Sequence, residues 1–177
     1  MMARKYFEET QKFGSQVLYL GMTAIYGTVL SIFGMAFYRQ FVQKIPFGNH
    51  PISDEGLVLA TALIMVILFV SGWLLFSSRF QVEIRDTGIS LRFWPYMSKT
   101  RIIARSEISS YKIRTYKPFR EYGGRGLRKG VKKSGDAYNL HGNIGLQLVL
   151  NDGKRILVGT RRPEAMLRAM NKMMELK

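Results

Sequence analysis

Residues 57–76 read LVLATALIMVILFVSGWLLF, twenty positions in a row without a charged side chain. An α-helix rises about 1.5 Å per residue, so a run of this length matches the roughly 30 Å hydrocarbon core of a bilayer. It is apolar all round, without the polar stripe that marks a helix at the surface of a soluble core. Ser77 and Ser78 prolong the uncharged stretch up to Arg79, and Trp73 stands where an interfacial aromatic is expected. The stretch predicts a transmembrane helix over 57–78.

Toward the N-terminus, residues 13–38 (FGSQVLYLGMTAIYGTVLSIFGMAFY) are again free of charge and long enough to span with tilt. Thr23, Gly27 and Ser31 recur every fourth residue and Gly34 follows, which puts small residues on one face where a second helix can approach. Ala60, Thr61 and Gly72 offer a matching surface on the later helix, so a packed hairpin is expected. The same face of helix 1 would serve a homo-oligomer or another membrane protein. Gly34-Met35-Ala36 loosely resembles a signal cleavage box. The apolar run before it, however, is far longer than the 7–15 residues of a signal-peptide core, and an uncleaved helix is expected.

Charge sets the orientation. Of 27 Lys and Arg, five lie in residues 1–78, and of 12 Asp and Glu, four; that leaves 22 and 8 in residues 79–177, a net +14. Arg4, Lys5 and Lys12 precede the first helix and Arg79, Arg85 and Arg92 follow the second. Arg39 and Lys44 in the connector are offset by Asp54 and Glu55. Positive flanks resist translocation. The reading is therefore a cytoplasmic N-terminal tail (1–12), a transmembrane helix (13–38), a short external loop with Pro46, Gly48 and Pro51 (39–56), a second transmembrane helix (57–78) and a cytoplasmic domain (79–177).

In that domain the period changes to two. Phe80, Val82 and Ile84 alternate with polar residues, Asp86-Thr87-Gly88 makes a turn, and Ile89, Leu91 and Phe93 alternate again. Further strand-like runs cover 99–104, 107–116, 137–141, 144–150 and 154–159, with Asn151-Asp152-Gly153 as a turn. The C-terminus switches to helix at Pro163. Met166, Leu167, Met170, Met173 and Met174 fall on one face, expected to plug one end of the domain. Seven strands capped by one helix predict a small antiparallel barrel or sandwich, hence a mostly-β, α+β domain behind a membrane α-helical hairpin.

The stretch from Tyr116 through Arg120-Glu121-Tyr122-Gly123-Gly124 to Gly126, then Ala137-Tyr138-Asn139, then Gly159-Thr160-Arg161-Arg162-Pro163-Glu164, resembles a bacterial pleckstrin-homology-like (PH-like) family. The resemblance covers residues 80–175 well and the hairpin loosely. It implies a PH-like fold beside transmembrane helices, in the bacterial inner membrane. Where that family carries a Trp, this chain has Arg125, so an aromatic that would insert into a membrane or partner is replaced by a charge.

Residues 112–133 hold nine cations, among them Lys117, Arg120, Arg125, Arg128, Lys129, Lys132 and Lys133, against one acid, Glu121. Gly123, Gly124, Gly126 and Gly130 are interspersed, and glycines let backbone amides curl around an anion. Three readings stand open. The segment lies on anionic lipid or grips a phosphorylated headgroup; it is a solvated face that only enforces orientation; or it meets a protein, such as a larger membrane complex for which this chain is an accessory or scaffold subunit. Nucleic acid is not expected, because no recognition helix or RNA-binding aromatic pattern is present. Nor is there a nucleotide-binding glycine fingerprint.

Zero Cys excludes a disulfide framework, thiolate metal sites and a Cys nucleophile, and two His (His50, His141) leave no multi-histidine site. Neither His has an acid or nucleophile partner in the sequence. The expectation is a non-catalytic protein without cofactor or metal, whose site residues bind anionic lipid.

Overall fold

The computed structural model describes residues 4–14, 16–48, 51–129 and 134–175. His50, Lys132 and Lys133 fall outside these. The chain divides into two compact units, residues 14–76 and residues 1–13 together with 77–177.

The first unit is a pair of antiparallel helices, α1 (Gln16–Phe37) and α2 (Asp54–Ser77). The α1 spiral continues through a π-helical turn, Tyr38–Val42. Both helices are long and apolar enough to cross a membrane. Their large apolar side chains point away from the chain, with Phe69 74% and Leu59 72% exposed. Burial in this chain therefore does not account for their hydrophobicity. Ser53 caps α2 by accepting the Gly56 amide at 3.1 Å, and Asp54 and Glu55 occupy its first turn. Buried Gln40 ties the connector down by donating to Ile52 O (3.0 Å) and Asp54 Oδ1 (2.7 Å).

Contact between the helices runs through Tyr26, whose hydroxyl meets Leu68 O at 3.1 Å and Ser71 Oγ at 2.7 Å. Tyr19 stacks on Phe76 at 5.5 Å. The sheltered positions on α1 include Leu18, Met22, Tyr26, Val29, Phe33, Ala36 and, beyond it, Gln40, a 3–4 spacing that keeps one seam toward the partner; Phe37 is also half-buried. On α2, Ala60, Thr61 and Gly72 lie on the sheltered face as expected. Thr23, Gly27, Ser31 and Gly34 do not make this contact: all four are exposed, and a Cβ added at Gly27 or Gly34 would meet nothing within 4 Å. The hairpin is closed by an aromatic hydroxyl over Gly72, not by the small residues of α1.

The second unit is α+β. One sheet has four antiparallel strands in the order β1 (Lys5–Lys12), β2 (Arg79–Arg85), β3 (Gly88–Trp94), β4 (Arg101–Ala104). The other has five, in the order β5 (Ile108–Thr115), β8 (Ile144–Leu150), β9 (Arg155–Gly159), β7 (Asp136–Asn139), β6 (Gly126–Lys129). The sheets do not join into a closed barrel, and β7 runs parallel to β9. Of the expected antiparallel barrel or sandwich, the barrel does not form, and the parallel β7–β9 pair departs from a wholly antiparallel arrangement. The seven anticipated strands are present. The additional two are β1, where a tail was expected, and β6, inside the basic segment.

The main core lies between the inward faces. Phe80, Val82, Ile84, Ile89, Leu91 and Phe93 meet Leu146, Leu148, Ile156 and Val158, all within 2% of full burial. Helix α4 (Pro163–Glu175) covers one side with Met166, Ala169, Met170 and Met173. Leu167 and Met174 sit at its margin. The opposite face of the five-stranded sheet carries a smaller cluster of Tyr116, Tyr122, Ala137 and Leu157.

Strand β1 is separated from β2 by both long helices yet pairs with it from Lys12↔Arg79 to Lys5↔Arg85. The Phe13 amide donates to Ser78 O at 3.0 Å, so the helical segment leaves and re-enters the sheet at adjacent residues.

Candidate functional site

The basic segment is built rather than loose. After β5, Lys117 precedes a five-residue helix, α3 (Pro118–Tyr122), with Pro118 at a position that needs no amide donor. Glu121 reaches back to accept the Lys117 amide at 2.7 Å. Gly123 ends the helix in the left-handed region (φ +67°), where a side chain would be strained.

Tyr122 turns inward and packs edge-to-face on Tyr116 with centroids 6.1 Å apart. Arg114 binds the assembly together. Its guanidinium donates to Tyr122 Oη (3.0 Å) and Gln147 Oε1 (3.0 Å) and pairs with Glu121 at 2.8 Å. Burial pushes the Glu121 carboxyl up, but the Lys117 amide and the Arg114 guanidinium outweigh it and hold the group below the ordinary carboxylate range. Burial also raises both tyrosine hydroxyls, Tyr116 and Tyr122.

This arrangement separates the cations by task. Arg114 is half-buried and occupied by structural partners. Lys117, Arg120, Arg125, Arg128 and Lys129 are exposed. Arg128 Nε donates to Arg125 O at 3.0 Å, which draws these two residues together at the turn before β6. Lys129 ends β6 opposite Asp136.

Gly130 lies outside the described residues; the described glycines shape the turn and their amides are turned to protein acceptors. Gly123 N–H donates to Phe119 O (3.1 Å), Gly124 N–H to Pro118 O (3.0 Å) and Gly126 N–H to Asn139 Oδ1 (2.9 Å). All three amides are engaged, so an anion at these glycines would meet Arg and Lys side chains and not their backbone amides.

The sequence reading passed over Phe119, which is 75% exposed between Pro118 and Arg120. An aromatic side chain standing in water among cations is unusual, and no periodicity announces it because α3 is only five residues long. Among the described residues no group of three His, Asp or Glu side chains comes close enough to hold a metal ion. His141 lies in the turn between β7 and β8.

No protein-family model matches the chain, and no curated protein matches it either.

Proposed function

We propose that the protein is a non-catalytic bacterial inner-membrane protein with both termini cytoplasmic. In this reading its PH-like domain binds the anionic membrane face, or a phosphorylated headgroup, through the basic segment. One observation carries the proposal: exposed Lys117, Arg120, Arg125, Arg128 and Lys129 stand close in sequence around a glycine-shaped turn with solvent-exposed Phe119, while the nearby acids are paired elsewhere, Glu121 with Arg114 and Asp136 with Arg101. Cations that carry an apolar ring suit an anionic interface. Each basic residue contributes about 1 kcal/mol near such a surface, and the ring adds burial in the headgroup layer. The Phe13–Ser78 hydrogen bond supports a two-pass topology, because it joins the approach to the first apolar helix and the exit from the second. Seven of the strands, with the capping helix, support the PH-like assignment.

The chain has no Cys, so a single Leu127→Cys substitution carries a fluorophore without competing sites. In nanodiscs containing phosphatidylglycerol the emission should shift to the blue relative to neutral phosphatidylcholine. Replacing Arg125, Arg128 and Lys129 by Gln should remove the shift. Equal spectra in both lipids would defeat the headgroup reading.

A second reading, an accessory or scaffold subunit of a larger membrane complex, is favoured by the outward Thr23-Gly27-Ser31-Gly34 face of α1. Mass measurement after gentle detergent extraction from the native membrane tests it; a lone monomer would count against it.

A further inference from the structure

A second basic surface lies elsewhere in the α+β unit, where the N-terminal strand runs beside the C-terminal helix. Between β1 and α4 there is a groove of about 440 Å³. Arg4 and Lys5 line its strand side, and Arg162, Arg168 and Lys172 its helix side. Ala165 and Ala169 also line it. We propose that this groove binds an extended acidic segment of a partner protein, with its aspartate and glutamate side chains lying along the cations of the helix side, Arg162, Arg168 and Lys172.

The helix-side charges are left largely uncancelled, whereas on the strand side Lys5 is paired with Glu8 and the Arg4 amide donates to the Asp86 carboxylate. The Arg162 guanidinium lies 4.8 Å from the Phe7 ring centroid and donates to the Glu8 carbonyl. The Lys172 ammonium sits 5.4 Å from the Tyr6 ring centroid. Aromatic faces and a carbonyl orient these cations but leave their full positive charge. Arg168 approaches Glu164 only to 3.8 Å, with both side chains largely in water. The one carboxylate in the groove, Glu8, is bound to Lys5 at 2.5 Å. Cations already positioned by rings lose little freedom when a ligand arrives.

Spacing selects the ligand class. From Pro163, next to Arg162, to Lys172 the helix rises about 14 Å, the length of about four residues of extended peptide. The cations are distributed along the helix side and do not converge on a point, which suits a row of carboxylates better than one phosphate. Single-stranded nucleic acid needs open aromatic faces for its bases. Here Phe7 is buried and Tyr6 lies beneath Lys172, so no such platform is offered. The inference is independent of the lipid-binding reading and uses other residues.

The test uses the full chain in neutral phosphatidylcholine nanodiscs and a fluorescein-labelled Glu/Asp-rich decapeptide, read by anisotropy in physiological salt. Saturable binding is expected. Arg168→Glu with Lys172→Glu should weaken it at least tenfold, and the charge-neutral pair Arg168→Gln with Lys172→Gln should also weaken it, by less, which guards against misfolding of the first. The charge-matched control Lys99→Glu with Lys112→Glu, on exposed residues outside the groove, should change binding less than twofold. Equal loss in groove and control variants would overturn the proposal, as would absence of saturation. Displacement by a deoxythymidine decamer or inositol hexakisphosphate at lower concentration than by unlabelled peptide would overturn it in favour of a phosphate ligand.

Discussion

Thr160 donates its hydroxyl to the Glu9 carboxylate at 2.5 Å, across 151 residues of chain. The same carboxylate accepts the Arg161 amide (2.9 Å) and Gln11 Nε2 (2.8 Å), while Gln11 also reaches Gly159 O (3.0 Å). Glu9 is 7% exposed, so the charge is buried but met by three donors. Here the strand that precedes the long helices is fastened to the junction of β9 and α4.

Removing one side of this cluster strands the other. Glu9→Ala leaves the buried Thr160 hydroxyl and the part-buried Arg161 amide without this acceptor and should destabilise the α+β unit by about 2–4 kcal/mol. Glu9→Gln keeps acceptor capacity and should cost less. Thermal unfolding in detergent, with a double-mutant cycle on Thr160→Val, measures the coupling. Additive losses would mean that the two side chains do not act together.

Gly88 opens β3 with φ +152°, opposite Ala104. A Cβ there would stand 2.2 Å from Ile103 O, which is backbone and cannot move aside cheaply. Gly88→Ala should therefore lower stability by about 3 kcal/mol or more. Gly153→Ala, in a turn where an added Cβ meets nothing within 4 Å, carries only the left-handed backbone strain and should cost about 1 kcal/mol. Comparing the two melting curves separates steric clash from conformational preference.

Much of the molecule can be read from the pattern of its residues, and the exceptions have physical reasons. The two long helices and seven strands follow from uncharged length and period-two alternation. β1 escapes because its inward positions are Phe7, Glu9 and Gln11; two of the three are polar, buried only because they find partners at the end of β9 and in the connection that follows it. β6 escapes because Gly-Leu-Arg-Lys has three exposed side chains and one half-buried glycine, so no apolar face marks it. The small residues of α1 were legible as a stripe, but a stripe does not say which neighbour it faces. Tyr26 decided that, through a hydroxyl that must find a partner in an apolar setting. In the basic segment the charges were legible. What was not is the distinction between structural Arg114 and exposed Arg125, which depends on where Tyr122 and Gln147 lie in space.

The ion pair that fastens the basic segment should respond to acid. Glu121 is held below the usual carboxylate value, so its contribution is complete above the ordinary value of about 4.3 and declines once the pH falls below it. It is lost as the pH falls through the lower value of the folded state. Hydrogen exchange at the Gly123 and Gly124 amides, corrected for intrinsic rates, should accelerate there. Glu121→Gln should flatten this response; an unchanged profile in that variant would assign the effect to another group.

The hairpin offers a prediction that tells its two faces apart. Gly72 lies under the Tyr26 ring, where an added Cβ would sit 3.6 Å from the hydroxyl oxygen; nothing stands within 4 Å at Gly27. Gly72→Leu should push the helices apart and break the Tyr26–Ser71 contact, whereas Gly27→Leu should leave the hairpin intact. Cysteine crosslinking between Tyr19→Cys and Phe76→Cys, which replaces the stacked pair, reads hairpin closure directly: it should fall in the Gly72 variant and persist in the Gly27 variant. If α1 presents its small residues to a second membrane segment, Gly27→Leu should instead abolish co-purification of that partner, because close helix approach in lipid depends on the missing side chain. Loss of crosslinking in the Gly27 variant would show that the small-residue face closes the hairpin after all, and the packing described for Tyr26 would then be wrong.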